Sequence, residues 1–372
     1  MKILFLNDTS RSRNWGCQAT TSCLRYLVER KWPGAQLDSV HLPKLPYRHI
    51  PQLRRWVESR FLAAGKTRDL DRFLQQMNVR VDERWFSYDL VLLNGEGSMH
   101  GKSGHLMRLL ALVERLKRAG VPCISVNQSV DLASKPAALE YLQQVYAGLD
   151  AVQVREAISL QGLGEAVPCA ELVPDAAFFS NRLPPDWGRK STPAADIAPG
   201  SIAIFGSSAL GPRDGATMGR LCDAVRQVRP EAPLLFLCST KTDEALAQAM
   251  TAKLSGVQTL TEQQLGFRDL CDVLAQVEIS VGGRFHPTIL AALQGTVTIP
   301  LVGNTCKMNG LMALLESRGG VLSCNYSVPE YVQALEAGFA ELDAEKRRLR
   351  QRCDSLADAV EQGLERAFAT AG

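Results

Sequence analysis

The amino-acid sequence predicts an α/β fold of two domains with parallel sheets. Short apolar runs such as KILFLND and PCISVNQ alternate with amphipathic helical stretches along most of the chain. The runs are continuously rich in valine, isoleucine and leucine, which is typical of parallel strands covered on both faces. The alternation breaks once, in a segment rich in proline and glycine from Asn181 to Gly200, and then restarts. This break predicts a linker between two domains.

The predicted elements follow in order along the chain. The apolar runs are KILFLND, DLVLLNG, PCISVNQ and AVQVRE before the linker, and SIAIFGSS, PLLFLCS, VQTLT, EISVGG and VTIPLVG after it. The clearest helical patterns are ATTSCLRYLVERKW and HLMRLLALVERLKRAG, the second ending at Gly120 and Pro122. We therefore predict an N-terminal domain over residues 1–185, a C-terminal domain over 200–325, and a helical segment over 326–372 that packs across both.

Composition narrows the class of protein. The chain has 372 residues, 46% of them hydrophobic, and its formal net charge of +3 is too balanced for a nucleic-acid-binding protein. The N-terminus MKILFLNDTS turns polar too early for a signal peptide, and no stretch approaches the roughly 20 apolar residues of a membrane span. The ten cysteines form no CxxC pair and lie mostly in apolar segments, as in reduced proteins. We expect a soluble, cytoplasmic protein.

The longest basic patch is AEKRRLRQR, Ala344 to Arg352. It lies in a helical pattern with acidic residues on both sides, which favours a solvated helix face. A weak hold on anionic lipid is the alternative, and it would place the protein peripherally at the inner membrane face.

Polar residues that could carry function follow the predicted strands. They are Asn14 and Gly16 after the first strand, Asn94, Glu96 and His100 in the loop NGEGSMHGKSGH, and Gly283, Arg284 and His286 in the motif SVGGRFHPT. In open parallel sheets, ligands bind beyond the carboxyl ends of the strands. We therefore expect loops of both domains to line one interdomain cleft.

The motif SVGGRFHPT predicts an anion-binding site. A strand that ends in Gly-Gly and turns into a helix brings backbone N–H groups and the positive end of the helix dipole to one point. The guanidinium of Arg284 can bind a carboxylate or phosphate with two N–H groups, and His286 can donate a hydrogen bond or transfer a proton.

The loop NGEGSMHGKSGH leaves alternatives open. Glu96, flanked by glycines, could act as a general base or could cap a helix N-terminus. His100 and His105 lie near it in sequence, but the spacing matches no metal site, so we predict no metal. Neither glycine-rich loop fits the dinucleotide or P-loop pattern, and we predict no cofactor.

Five segments follow one another along the chain and together cover most of it: NWGCQAT, NGEGSMH, VREAISLQGLG with LVPDAAFF, SVGGRFHPTILAALQGTVTIPL, and KMNGL, which begins at Lys307. In this order they resemble the polysaccharide pyruvyl transferase family. Three details depart from the family pattern. NGEG replaces the commoner Gly-Gly-Gly, one extra glycine stands between the serine and Arg284, and His286 is followed directly by Pro287.

The resemblance implies a GT-B-like fold of two Rossmann-like domains with an interdomain cleft. It implies phosphoenolpyruvate as donor, and as acceptor a sugar of a cell-surface polysaccharide or of its lipid-linked or nucleotide-linked precursor. The product is a pyruvate ketal that bridges two sugar hydroxyls.

The resemblance also implies roles for residues. Arg284 and His286 would bind the donor, with His286 as general acid, and Arg155 and Lys307 would complete the donor site. Asn14, Gly16 and Gly283 belong to the same predicted set, Asn94 and His100 to the acceptor side, and Glu96 is the candidate base.

A second resemblance gives an alternative function. His286 is followed by Pro287, and together with the acidic-glycine motif this is similar to bacterial sialyltransferases and Kdo transferases, which use CMP-activated acidic sugars. There the His-Pro unit, at a helix start, holds the nucleotide phosphate. The acidic motif lies in the first domain here, whereas that group places it later, so we favour the pyruvyl transferase interpretation. A non-catalytic sugar-binding relative is a third alternative, disfavoured because the set of cations is complete.

Overall fold

The computed structural model describes residues 1–43, 50–97, 99–100, 104–190, 196–340 and 342–370, without the side chain of Lys66. The chain divides into two compact units. The first comprises Met1–Asp8, Arg25–Asp175 and Glu361–Gly372, and the second comprises Thr9–Leu24 and Ala176–Val360. Five residues of the predicted linker, 191–195, lie outside the described part.

The first unit contains a six-stranded parallel sheet in the order β2-β1-β3-β4-β5-β6. Its strands are β1 (Lys2–Leu6), β2 (Gln36–Val40), β3 (Leu90–Asn94), β4 (Cys123–Gln128), β5 (Ala151–Val154) and β6 (Ala170–Leu172). Its helices are the end of α1 (Trp15–Lys31), α2 (Pro51–Ala63), α3 (Leu70–Gln76), α4 (Gly104–Arg118), α5 (Pro136–Ala147) and α6 (Ala157–Leu163). Short 3-10 turns lie at Gly65–Thr67, Glu83–Ser87 and Gly164–Ala166.

The central strands form because their apolar residues are buried on both faces. Every residue of β3 and β4 is buried, and α4 covers the sheet with a nearly continuous buried row that includes Leu109, Leu112 and Leu116. The two edge strands, β2 and β6, escaped the sequence prediction. Their sequences, QLDSV and AEL, are short and carry polar residues, because an edge strand is only half covered.

The second unit contains a five-stranded parallel sheet in the order β11-β10-β7-β8-β9. Its strands are β7 (Ile202–Ser207), β8 (Leu234–Cys238), β9 (Val257–Thr261), β10 (Ile279–Gly283) and β11 (Thr298–Pro300). Its helices, besides the start of α1 and a 3-10 turn at Ala176–Arg182, are α7 (Gly215–Val228), α8 (Lys241–Thr251), α9 (Phe267–Leu274), α10 (Phe285–Leu293), α11 (Lys307–Leu314), α12 (Val328–Ala340) and most of α13 (Leu342–Ala369).

All five strands predicted for this half are present, and the predicted class of two parallel-sheet α/β domains is confirmed. The sheet is irregular at one place that matters below. The register between β10 and β7 shifts between Val281 and Gly283, and a Cβ on Gly282 would lie 2.6 Å from the Cβ of Phe205. Glycine therefore allows the end of β10 to press against β7 and to aim the next residue, Arg284. Among the described residues, no helix is both long and apolar enough to cross a membrane.

Candidate functional site

Arg284 stands between β10 and α10 at the carboxyl end of the second sheet. Its guanidinium is held on one side, since Nε and Nη2 donate to Oδ1 of Asp243 at 3.1 and 2.6 Å and Nη2 also donates to Oγ1 of Thr240 at 2.9 Å. Among the described residues, Nη1 has no hydrogen-bond partner, and the side chain keeps 14% of its surface exposed. The arginine is thus fixed in direction, and Nη1 can still donate a hydrogen bond.

Asp243 is the buried counter-charge that fixes Arg284, and the sequence interpretation missed it. Its side chain is 2% exposed, and its other oxygen accepts from the backbone and hydroxyl of Ser239, both at 3.1 Å, and from the hydroxyl of Thr240 at 3.0 Å. Thr240 is the N-cap of α8, with Asp243 in the first turn. The pattern Thr-x-x-Asp after a strand is a helix-start signal, and it could have pointed to this residue.

Gly206 makes room for this ion pair. A Cβ on Gly206 would lie 1.8 Å from Oδ1 of Asp243 and 3.6 Å from Nη2 of Arg284. The close approach of β7 to the carboxylate therefore requires glycine at this position.

We expect Gly206→Ala to lower the free energy of unfolding by about 1–3 kcal/mol, because the added methyl group must displace a buried, charge-paired carboxylate. Urea unfolding of the variant measures the loss. The matched control is Gly219→Ala in α7, where a Cβ would meet nothing within 4 Å. That substitution should be neutral or stabilise by up to about 1 kcal/mol. Equal stabilities for the two variants would contradict the crowding at Gly206.

His286 lies in the first turn of α10 and is 7% exposed. Its ring packs edge-on against Phe285, with centroids 5.2 Å apart, and its Nε2 lies 3.4 Å from the hydroxyl of Thr20. A Cβ on Gly16 would lie 2.0 Å from Cγ of His286. The histidine is therefore covered by the beginning of α1, which belongs to the same unit.

Asn14 and Trp15 hold that beginning of α1 in place. Oδ1 of Asn14 accepts from the backbone N–H of Gly16 at 2.9 Å, as an N-cap does. Trp15 is fully buried, and its indole N–H donates to the carbonyl of Leu265 at 2.8 Å. The first turns of α1 and α10 meet at Gly16 and His286, so two positive helix ends lie close to the imidazole.

Gly283 and Lys307 are positioned by the loops on either side of Arg284. A Cβ on Gly283 would lie 2.5 Å from Oγ of Ser207, so glycine is required there too. The loop after β11 approaches the same point, since a Cβ on Gly303 would be 3.9 Å from the carbonyl oxygen of Gly283. Lys307 begins α11 immediately after this loop and is partly exposed.

In the first unit, Asn94 and Glu96 lie at the carboxyl end of β3. Asn94 is fully buried, and its Oδ1 accepts from the backbone N–H of Glu96 at 3.1 Å, so its side chain shapes the loop. Glu96 is 7% exposed. Ser98 and residues 101–103 of this loop lie outside the described part.

Three hydrogen-bonded side chains, those of Asn7, His105 and Arg108, hold this loop in place. Nδ2 of Asn7, a residue with φ of +59°, donates to the carbonyls of Asn94 at 2.7 Å and Glu96 at 3.2 Å. Nε2 of His105 lies 3.0 Å from Oδ1 of Asn7, and Nη2 of Arg108 lies 3.2 Å from Nδ1 of His105. These contacts define one tautomer, in which Nε2–H donates to Asn7 and Nδ1 accepts from Arg108.

This arrangement makes the loop sensitive to acid. Burial, and then the charge of Arg108, lower the pKa of His105 from 6.5 to about 4. Because the folded-state pKa is the lower one, the unfolded chain binds more protons between these values, and stability falls as the pH drops from 6.5 towards 4. The full difference corresponds to roughly 3 kcal/mol.

We expect His105→Asn to flatten this dependence. Unfolding free energies at pH 7.5, 6 and 4.5 should fall more steeply in the wild-type protein than in the variant. The other histidines are common to both proteins, so the difference isolates His105. Parallel curves would show that His105 is not buried as a neutral ring.

Arg155 is also buried, at 2% exposure, at the end of β5. Its Nη1 donates to Oδ2 of Asp175 at 2.6 Å, and its Nε donates to Oγ of Ser129 at 2.9 Å. The contact joins the sequence segments VREAIS and VPDAAFF. The charge of Arg155 is therefore offset within its own unit, and its predicted part in donor binding stays a prediction.

The structure sorts the predicted residues by unit. The second unit holds Asn14, Gly16, Gly283, Arg284, His286 and Lys307, and the first holds Asn94, Glu96, His100 and Arg155. His100 is partly exposed and forms a single β-bridge with Asp131. Within the described ranges, no group of three or more histidine, cysteine or acidic side chains is placed to hold a metal ion.

Solved structures with this fold share little sequence with the chain. UDP-N-acetylglucosamine 2-epimerase from Rickettsia bellii is 12% identical, with a TM-score of 0.63 and coverage of 100% of this chain and 96% of that chain. UDP-GlcNAc 2-epimerase from Neisseria meningitidis is 10% identical, with a TM-score of 0.60 and coverage of 99% and 100%. Phytolacca americana UGT2 is 11% identical, with a TM-score of 0.54 and coverage of 100% of both chains. These likenesses show the fold, which is GT-B.

Sequence comparison is more specific about the family. No curated protein sequence matches the chain. The family model described as polysaccharide pyruvyl transferase matches residues 14–304, which run from the cap of α1 through Arg284 and His286 to the loop before α11. The chain belongs to the polysaccharide pyruvyl transferase family.

Proposed function

We propose that the protein transfers pyruvate from phosphoenolpyruvate to a sugar of a cell-surface polysaccharide or its precursor, forming a ketal. The observation that carries the proposal is Arg284, fixed by Asp243 and Thr240 with Nη1 left over, next to His286 at a helix start. Phosphoenolpyruvate carries a phosphate and a carboxylate, and both suit such a cation set. Lys307, at the start of α11, supplies a further cation.

The chemistry assigns a role to each group. His286 protonates the enol methylene, and the adjacent carbon gains oxocarbenium character as a sugar hydroxyl attacks it and loses its proton to a base. Phosphate then leaves, and a second hydroxyl closes the ketal ring. Arg284, Lys307 and the helix ends at Gly16 and His286 offset the charge on the departing phosphate.

Glu96 is the proposed base for the hydroxyl protons. It is the acidic member of the family-like loop NGEGSMH, and its carboxylate is held on a loop that Asn7 and Asn94 keep in shape. Glu96→Gln keeps the size of the side chain and removes the basicity. If the role is right, this change lowers turnover and leaves donor affinity unchanged.

The donor is tested by thermal shift with phosphoenolpyruvate, inorganic phosphate, pyruvate and CMP as separate probes. A ligand at 100 times its Kd stabilises the folded state by about 2.7 kcal/mol. We expect phosphoenolpyruvate to give the largest shift, and the shift to shrink in Arg284→Lys. A larger shift with CMP would instead favour a CMP-sugar donor, for which the observed His286–Pro287 pair in the first turn of α10 is the supporting feature.

A further inference from the structure

Helix α2 of the first unit presents an unusual outer surface. Of the eight large hydrophobic side chains that are exposed among the described residues, three lie within seven positions of one another at this helix. Ile50 is 52% exposed, Leu53 37% and Trp56 53%. Single exposed apolar side chains are ordinary, but a cluster of them marks an interaction site.

The buried side of α2 determines which way these residues face. Val57 and Phe61 are each 6% exposed, and Phe61 stacks on Phe73 with ring centroids 3.9 Å apart. Leu53 lies one turn before Val57 and Trp56 one position before it, so both follow one flank of the helix beside its buried face, and Ile50 precedes the helix as the N-cap. The helix is therefore anchored by Val57 and Phe61 and exposes an apolar ridge, Ile50–Leu53–Trp56, along one flank.

Basic residues surround the apolar ridge. The guanidinium of Arg60 lies 4.9 Å from the ring of Trp56. Burial raises the pKa of Glu58, the only acid of the helix, although the charges of Arg54, Lys135 and Arg55 act to lower it. Arg54 pairs with Glu58, with Nε and Oε1 3.5 Å apart, while Arg55 and Arg60 are exposed, so this surface carries net positive charge.

We propose that this surface of α2 docks on an anionic lipid bilayer, with the apolar ridge inserted between headgroups. Tryptophan and arginine together suit the membrane interface, because the ring enters the boundary region while the guanidinium stays with lipid phosphates. A protein partner could also cover an apolar ridge, but the excess of cations favours the bilayer. The proposal is independent of the reaction, since it uses no residue of the donor or acceptor set.

Sedimentation with lipid vesicles tests it. The full-length protein should bind vesicles containing 30% phosphatidylglycerol and bind weakly or not at all to pure phosphatidylcholine. The double variant Leu53→Ser/Trp56→Ser should lower the partition coefficient at least about tenfold. Arg55→Glu/Arg60→Glu should lower it by a similar factor, and added salt should mimic that change.

A matched control separates binding by this surface from nonspecific binding of the protein to vesicles. Ile158 is 39% exposed on α6 of the same unit, and Ile158→Ser should leave vesicle binding unchanged. Circular dichroism should be the same for all variants, because the side chains that anchor α2, Val57 and Phe61, are not substituted. Equal binding to neutral and anionic vesicles, or full binding by the Leu53/Trp56 variant, would overturn the proposal. A dimer in light scattering that the same variant dissociates, without vesicle binding, would also overturn it and assign the ridge to a second copy of the chain.

Discussion

Replacing Arg284 by alanine should weaken phosphoenolpyruvate binding by roughly 30-fold to several-thousand-fold. Losing one partner of a desolvated, hydrogen-bonded charge pair costs about 2–5 kcal/mol. In this protein the substitution has two separate costs. The donor would lose Nη1, and Asp243 would be left as a buried carboxylate without its cation, which also costs stability.

Arg284→Lys is a variant that should stay folded, and its donor affinity can be compared with wild type if the alanine variant is too unstable to purify. The ammonium group can keep the ion pair with Asp243 but cannot also offer a second, oriented nitrogen to the donor. We therefore expect an intermediate affinity by calorimetry, with near-normal unfolding. Asp243→Asn should give a similar result for the opposite reason, because it keeps the cation and loosens its position. Unchanged donor affinity in Arg284→Ala would remove this residue from the donor site.

His286→Asn should reduce turnover about 10²- to 10⁴-fold while donor affinity changes little, if His286 is the proton donor. Asparagine is of similar size and can donate a hydrogen bond, but it cannot deliver a proton at neutral pH. Phosphate release at saturating donor gives the rate, and calorimetry gives the affinity separately.

The opposite result would decide for the alternative function. A histidine that only holds a nucleotide phosphate should, when replaced, weaken binding and spare the rate at saturating donor. Gly16→Ala tests the position of the ring without touching its chemistry, because the new methyl group would occupy the place of the imidazole. It should therefore lower turnover in the same direction as His286→Asn.

The sequence predicted the parts of the fold that are made from continuous local patterns. The central strands and helices such as α4 are nearly all apolar on their buried faces, so their type follows from the pattern alone. The edge strands β2 and β6 were missed, since their half-covered residues follow no apolar run. Ser239 to Asp243 follow a predicted strand, yet nothing local shows that β8 and β10 flank β7 and bring Asp243 to Arg284.

The candidate residues show the same limit. Arg284 and His286 were found because glycine, cation and imidazole are adjacent in one motif. The residues that contact them, Asp243, Thr20 and Gly206, come from distant segments. In the sequence they read as an acid at a helix start, a threonine within a helix and a glycine within a strand, none of which indicates a site. Only their positions in the folded chain make them part of the site.

Each unit is assembled from segments that are far apart in the sequence, and this affects folding during synthesis. The carbonyl that the indole of Trp15 binds belongs to a residue that is made 250 positions after it. At about 5–20 residues per second, that partner is made roughly 12–50 seconds afterwards. Until then the indole N–H of Trp15 lacks the carbonyl that it binds in the folded chain.

The first unit also depends on a segment that is made late. Gln153 donates to the carbonyl of Gly363 at 2.6 Å, and Arg366 binds Glu171 at 2.9 Å, so its final segment, from Glu361, is made after all of the second unit. Cutting the gene near residue 190 would give one fragment without its closing helix and another without Trp15 and Thr20. Neither half should fold fully when expressed alone, whereas co-expression of the two should restore both.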